Sequence, residues 1–239
     1  IRLWSAGMET GSLEEWYISN YQTSACGGEF SGEGGQALPS TEFAHSGRWS
    51  AKLTIPAHSS SSSPAGVRMH RWCEPQRHAD LIYSVWFYLP SPVYVLRGGW
   101  TNWFQFKSKR PNGANDPFFF VGITGSGPSE ESRLLLTWWN GLKIEGPSVG
   151  QYGFRTWKSP LSVPIGRWFN LAARYVCRGD FTGTVQVWQD GDEIFKLTQV
   201  RTRYPDGDCQ WGVNNYGRLL SPDPVQIYID DASIEKSGE

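Results

Sequence analysis

The chain has 239 residues, 39% of them hydrophobic and 19% charged, with a formal net charge of -1. That balance excludes a disordered chain, and it gives no whole-protein attraction to nucleic acid or anionic membrane, so no nucleic-acid partner is expected. The outlier is the aromatic content of 13 Trp, 10 Tyr and 12 Phe, which implies a partly exposed surplus of the kind that binds ligands.

Along the chain, apolar residues recur with period two in short runs broken by Gly, Pro, Asn and Ser clusters, and helical periodicity is nearly absent. This is an all-β pattern. Strands are predicted over Trp49–Ile55, Gly66–Trp72, Leu81–Leu89, Trp100–Ser108, Phe118–Ile123 and Arg133–Trp138. They continue over Trp168–Cys177, Thr184–Gln189, Glu193–Val200, Cys209–Tyr216 and Val225–Ile234. The serine tract His58–Pro64 is predicted to be a loop, as are Pro111–Asp116 and Gly125–Glu131. Asp190-Gly191 is a two-residue hairpin signal. No repeat or composition shift divides the chain, so residues 1–239 read as one domain. Strands of this number and length predict a two-sheet antiparallel β-sandwich, and a curved sheet offers a concave outer face wide enough for a polymer.

The cysteines are Cys26, Cys73, Cys177 and Cys209, and neither they nor the four histidines have zinc-site spacing. An even count without metal spacing suits two disulfides in an oxidising compartment. Three pairings are possible, of which Cys26–Cys73 with Cys177–Cys209 is favoured. No run approaches the roughly 20 apolar residues of a membrane-spanning helix. The chain begins at Ile1 rather than Met, so a processed product and an extracellular location are expected.

Three segments carry a resemblance: Met8 to Trp16, His45 to Ala51, and Tyr228 to Ile234. Together they are similar to jelly-roll carbohydrate-binding modules and lectin-like domains of the concanavalin A type. That likeness implies a structural calcium held by Glu9 and Asp231, with Asp230 as a further carboxylate. Calcium wants 6–8 oxygens, and joining the first strand to the last closes a sandwich. The middle, roughly residues 45 to 216, resembles the lectin-like polysaccharide lyases, the group of heparin lyase I and the glucuronan and alginate lyases. The matching order is HSGRWSAKLTI, GVRMHRW, SVWFYLP, WFQFKS, then PIGRWFNLAARYVCRGDFTGTVQVWQDGDEIFKL and QWGVNNYG. In those lyases one strand carries an Arg, one reads Gln-x-His and one ends in Tyr. The resemblance places Arg68 and Gln105 in the first two roles, puts Lys107 where the His stands, and puts Asn214 at the Tyr place with Tyr216 two residues on.

Strand parity predicts Phe104 and Phe106 in the core, with Trp103, Gln105 and Lys107 outward. Arg68, His70 and Trp72 share an outward face on one neighbour, and Asn214 and Tyr216 share one on another. Trp103 and Trp72 are then sugar-stacking platforms, and Gln105 and Asn214 are hydroxyl partners. Arg68 and Lys107 hold a carboxylate or sulfate. If the protein is an enzyme, Arg68 and Gln105 neutralise a uronate carboxylate in β-elimination. Lys107, His70 or Tyr216 takes the proton, and Tyr216 protonates the leaving oxygen. Trp138, Trp139 and Trp188 read as core or hairpin packing. No Glu-x-Asp-x-Glu strand supports a glycoside hydrolase, and serine-hydrolase, phosphate-loop and dinucleotide motifs are absent. The leading expectation is a secreted lectin-like domain that binds an acidic polysaccharide. The alternatives are a polysaccharide lyase of the same fold and a self-assembling cell-surface protein.

Overall fold

The period-two runs fold as strands and supply the faces of one sandwich. The protein is described here from a computed structural model covering residues 1–57, 63–125, 127, 130–140 and 153–238. In chain order the first strands are β1 (Arg2–Ala6), β2 (Gly27–Gly32), β3 (Gln36–Ser40), β4 (Ser50–Ile55) and β5 (Ala65–Arg71). Then come β6 (Asp80–Tyr88), β7 (Tyr94–Lys109), β8 (Asn115–Thr124), β9 (Arg133–Asn140) and β10 (Gly153–Ser162). The last are β11 (Trp168–Val176), β12 (Gly183–Gln189), β13 (Asp192–Val200), β14 (Asp208–Ser221) and β15 (Val225–Lys236). A short helix, α1 (Cys73–Arg77), follows β5.

One antiparallel sheet runs β13-β12-β11-β6-β15-β4-β3, with β1 also paired to β15; the other runs β10-β9-β8-β7-β14-β5-β2. Inward residues of the two sheets meet in one continuous apolar cluster. Phe106 of β7 stacks on Tyr175 of β11 at 3.9 Å, and Trp211 of β14 lies 5.2 Å from Tyr83 of β6. The alternation on β6 is strict: Leu81, Tyr83, Val85 and Phe87 are buried, and the residues between them are half-buried.

All eleven predicted strands form. The four others are those whose sequences hide the pattern. Gly-rich β2 and Pro-containing β3 are edge strands, which is where proline is tolerated because no ladder donor is needed. β10, also an edge, contains Pro160, and β1 is only five residues long. The Asp190-Gly191 turn joins β12 to β13 with φ of 52° and 90°, the positive pair that a two-residue hairpin needs and that glycine accepts without strain. The serine tract at 58–62, and 126 and 128–129 of the 125–131 loop, lie outside the described residues. The favoured cysteine pairing is the one present: Cys26–Cys73 ties β2 to α1, and Cys177–Cys209 ties the end of β11 to β14.

Candidate active site

The site lies on the outer face of the second sheet, where β5, β14 and β7 run side by side. Pairing is Asn214 with Arg68, Gly212 with His70 and with Gln105, and Gln210 with Lys107. Arg68, His70, Gln105, Lys107 and Tyr216 therefore converge, and all five line one cleft of about 450 Å³. Arg68 donates from Nε to Asn214 Oδ1 at 2.8 Å. Its guanidinium also sits over two rings, 5.6 Å from Tyr216 and 5.8 Å from Phe30. An arginine fixed by an amide and two aromatic faces keeps its remaining N–H groups aimed in one direction.

One parity expectation fails, for a local reason. The register between β7 and β14 shifts between Val213 and Tyr216, so that Phe104 pairs with Val213 but Asn102 pairs with Tyr216. Two β14 residues, Asn214 and Asn215, thus stand against Trp103 alone, which is a β-bulge. Trp103 turns inward beside Phe104 and stacks on Phe87 of the opposite sheet at 6.4 Å, fully buried. It is core and not a sugar platform. Asn102, which regular alternation would place on the same side as Phe104, takes the outward place, and its Oδ1 accepts from Asn214 Nδ2 at 2.8 Å. The indole that this strand does present is Trp100, which meets Tyr216 edge-on at 5.1 Å. Trp72, at the end of β5, is half-buried beside His70 at 5.4 Å, and it is not among the residues lining this cleft.

Tyr216 depends on a glycine opposite it. A methyl group at Gly66 would fall 1.7 Å from Tyr216 Cδ2, so only glycine lets the ring lie across β5. Beside it, Gln105 is 3% exposed, and its Oε1 is buried without a hydrogen-bond partner among the described residues, as is His70 Nδ1.

Burial and mutual repulsion set the protonation of this cleft. Burial, then the Arg68 charge, lower the Lys107 ammonium to about 8, with Asp116 opposing. The same two causes, with the Lys107 charge adding to them and a backbone hydrogen bond at Arg68 opposing, lower His70 to about 4. At neutral pH His70 is an uncharged imidazole, and part of Lys107 is a free amine able to accept a proton. Among the described residues no carboxylate lines this cleft.

A second cleft, of about 740 Å³, adjoins the first along the same sheet face and shares Gln105, Pro117 and Tyr216 with it. Trp100, Phe120, Trp139 and Phe154 line it. Trp139, expected to be packing, is 39% exposed and stacks on Phe154 at 6.0 Å. Its partner lies on β10, an edge strand without a clear period-two pattern, so the exposure of this ring is not readable from local sequence.

The calcium residues lie elsewhere, where β1 and β15 meet the 45–49 turn. Glu9 accepts from the backbone N–H groups of Arg48 and Trp49 at 2.8–3.0 Å. Asp231 takes His45 Nδ1 at 2.7 Å and the Ser46 hydroxyl at 2.9 Å. Asp230 is fully buried and accepts from the amides of His45, Ser46 and Asp231; burial is the main cause that raises its carboxyl to about 6. A methyl group at Gly7 would lie 3.6 Å from Asp231 Oδ1 and 3.9 Å from Glu9 Cγ, so those two side chains do converge. Among the described residues no three of His, Cys, Asp and Glu cluster as metal ligands. A calcium between Glu9 and Asp231 fits only if backbone carbonyls and water supply the other oxygens.

With this geometry in hand, the comparisons are specific. A family model described as polysaccharide lyase matches residues 8–233. The chain belongs to the polysaccharide lyase family. Among solved structures, an endo-β-1,4-glucuronan lyase from the fungus Trichoderma reesei superposes with a TM-score of 0.71 at 17% identity, covering 99% of this chain and 96% of that one. The marine PL-14 alginate lyase from Aplysia kurodai gives 0.65 at 11% identity, over 99% and 100%. A carbohydrate esterase of the Shiga toxin-encoding bacteriophage phi24B gives 0.55 at 14%, over 100% and 99%. These likenesses show the jelly-roll fold, which hosts more than one chemistry. No curated protein matches. Family membership favours the lyase alternative over binding alone, and polysaccharide is the corresponding ligand class. No helix among the described residues is long and apolar enough to cross a membrane.

Proposed function

We propose that the protein is an extracellular lyase that cleaves a uronate-containing polysaccharide by β-elimination in the cleft between β5, β14 and β7. The observation that carries this reading is the convergence of Arg68, Gln105, Lys107 and Tyr216 on one space that holds no carboxylate. Arg68 and the Gln105 amide pair with the uronate carboxylate, which lets charge develop on it as the C5 proton becomes acidic. Neutral Lys107 Nζ takes that proton; the C–H electrons form the C4=C5 double bond, and the C4–O4 bond breaks. The Tyr216 hydroxyl gives its proton to that glycosidic oxygen, which departs as the hydroxyl on the anomeric carbon of the leaving sugar. Lys107 then returns its proton to solvent, and Tyr216 regains one. His70, uncharged, and the Asn102–Asn214 pair hold sugar hydroxyls and the Arg68 position.

Lysine rather than histidine as base follows from the two groups' environments. A base works best when its pKa lies near the working pH, and Lys107 at about 8 is nearer than His70 at about 4. The two disulfides support secretion. A structural calcium bound by Glu9 and Asp231 would supply a clamp from β1 to β15; it plays no part in the elimination. Its check is thermal unfolding with and without chelator, and an unchanged midpoint removes calcium from the reading.

The deciding experiment mixes the protein with uronate polymers and follows the ultraviolet absorbance of the unsaturated product. Absorbance growth that Lys107→Ala and Tyr216→Phe each abolish supports the assignment. Binding of the same polymers without any absorbance change leaves a lectin and overturns the lyase.

A further inference from the structure

The adjoining aromatic cleft has a chemistry that a uniformly charged polymer does not match. Its lining includes Trp100, Phe120, Trp139 and Phe154 together with Ile123 and Leu135. The formally charged residues in that lining are Glu130 and Arg218, of opposite sign, and Glu130 pairs with Lys158 at 3.6 Å. The reacting cleft, by contrast, presents Arg68 and Lys107 with no carboxylate. A chain seated across Gln105, Pro117 and Tyr216, the residues common to both, must run from one into the other.

A uronate residue laid on the aromatic half would bring a carboxylate to a mostly apolar surface, where Arg218 is the one cation among the described lining residues, against Arg68 and Lys107 in the reacting cleft. Removing a charge from water without a partner is costly. An uncharged pyranose, or one whose acid is masked as an ester, instead presents C–H faces and acyl groups that stack on indole and phenyl rings. Trp139 and Phe154, side by side at an interplanar angle of 14° and 39% and 64% exposed, form a flat step of that kind at the outer end.

Resting on the lyase reading above, we infer that the substrate is a mixed polysaccharide. A free uronate occupies the Arg68–Lys107 half, and neutral or esterified sugar units occupy the Trp100–Trp139–Phe154 half.

The test compares a homopolyuronate with a polymer in which the same uronate alternates with neutral hexose, by initial elimination rate over a range of polymer concentration. The mixed polymer is expected to have a KM roughly ten-fold lower, the size of one good ring contact. Phe154→Ala and Trp139→Ala are expected to raise its KM by a similar factor while kcat and the KM for homopolymer stay put. Phe154→Lys should move the preference toward the homopolymer. Equal KM values, or aromatic variants that affect both polymers alike, overturn the inference while leaving the lyase standing. If neither polymer is cleaved, the lyase reading fails, and affinity electrophoresis of the two polymers decides the inference separately: tighter retention of the mixed polymer, lost in Phe154→Ala, supports it, and equal retention overturns it.

Discussion

The two halves of the outer sheet face share a floor and differ in almost everything else. On the β5–β14 side, Arg68 and Lys107 crowd together, and their repulsion, added to burial, lowers the proton affinity of Lys107 and of His70. On the β8–β9–β10 side, rings replace charges, and the Glu130 carboxylate is paired with Lys158. Proton transfer is suited to the first environment, because burial, reinforced by a neighbouring cation, turns an ammonium into a base near neutral pH. Holding the rest of a polymer needs only surface and shape. On the proposed reading, chemistry and grip are separated along one strand, β7, with Lys107 toward one end and Trp100 toward the other.

The largest break in that contrast comes from the basic half. Lys107→Ala is expected to lower kcat by about 10²–10⁴, the usual worth of a positioned base, with polymer binding kept. In the wild type, kcat/KM should rise with pH, reach half its plateau near 8, where half of Lys107 is free amine, and level off about a unit above. A flat profile between pH 6 and 9, or a Lys107→Ala variant with unchanged kcat, would remove lysine as the base.

Next in size is the buried side of the same strand. Trp103→Ala should cost about 3–5 kcal/mol of stability, as large-to-small changes in a filled core do. Its effect on KM in the folded fraction should be small. Trp100→Ala should behave in the opposite way, with a KM several-fold higher and a melting temperature within a few degrees of wild type. Denaturant curves beside Michaelis plots for the two variants read both, and a Trp103 variant that is stable but weak in binding contradicts the bulge.

Gly66→Ala probes position without chemistry. The added methyl must displace the Tyr216 ring, and a misplacement near 1 Å can cost about 10²-fold in rate. Tyr216→Phe in the Gly66→Ala background should then cost little more, and a full additional loss would separate the two residues.

The smallest effect is on stability at low pH. His70 has a folded pKa of about 4, below its ordinary value of 6.5, so unfolding takes up a proton between those values. Stability should therefore fall as pH drops from 6.5 toward 4, and His70→Asn should flatten that slope in urea titrations. Raising ionic strength should meanwhile raise KM for a charged polymer, and it should do so less in Arg68→Gln.

Much of this was legible beforehand. Phe104 and Phe106 inward and Gln105 and Lys107 outward follow from side-chain alternation along regular ladder, as does the shared face of Asn214 and Tyr216. Trp103 did not, because alternation holds only while the ladder is unbroken, and the bulge at Asn214–Asn215 reverses the sense of everything before it on β7. Trp139 was misassigned for a different reason: its exposure depends on the neighbour β10, an edge strand whose Pro160 obscured it.

The amino-acid order by itself determined that strands would form, which residues would seek a core, that four cysteines suit two disulfides, and that Arg, Gln, Lys and Tyr would be available on strand faces. Those are properties of short segments, set by period-two patterning and turn chemistry. Only the tertiary structure decided that the four groups share one cleft, that Trp100 and not Trp103 is the indole β7 presents on that sheet face, and that Lys107 loses its proton easily. Each of those depends on contacts between strands far apart in the chain: the bulged pairing of β7 with β14 and the shielding of Lys107 beside Arg68.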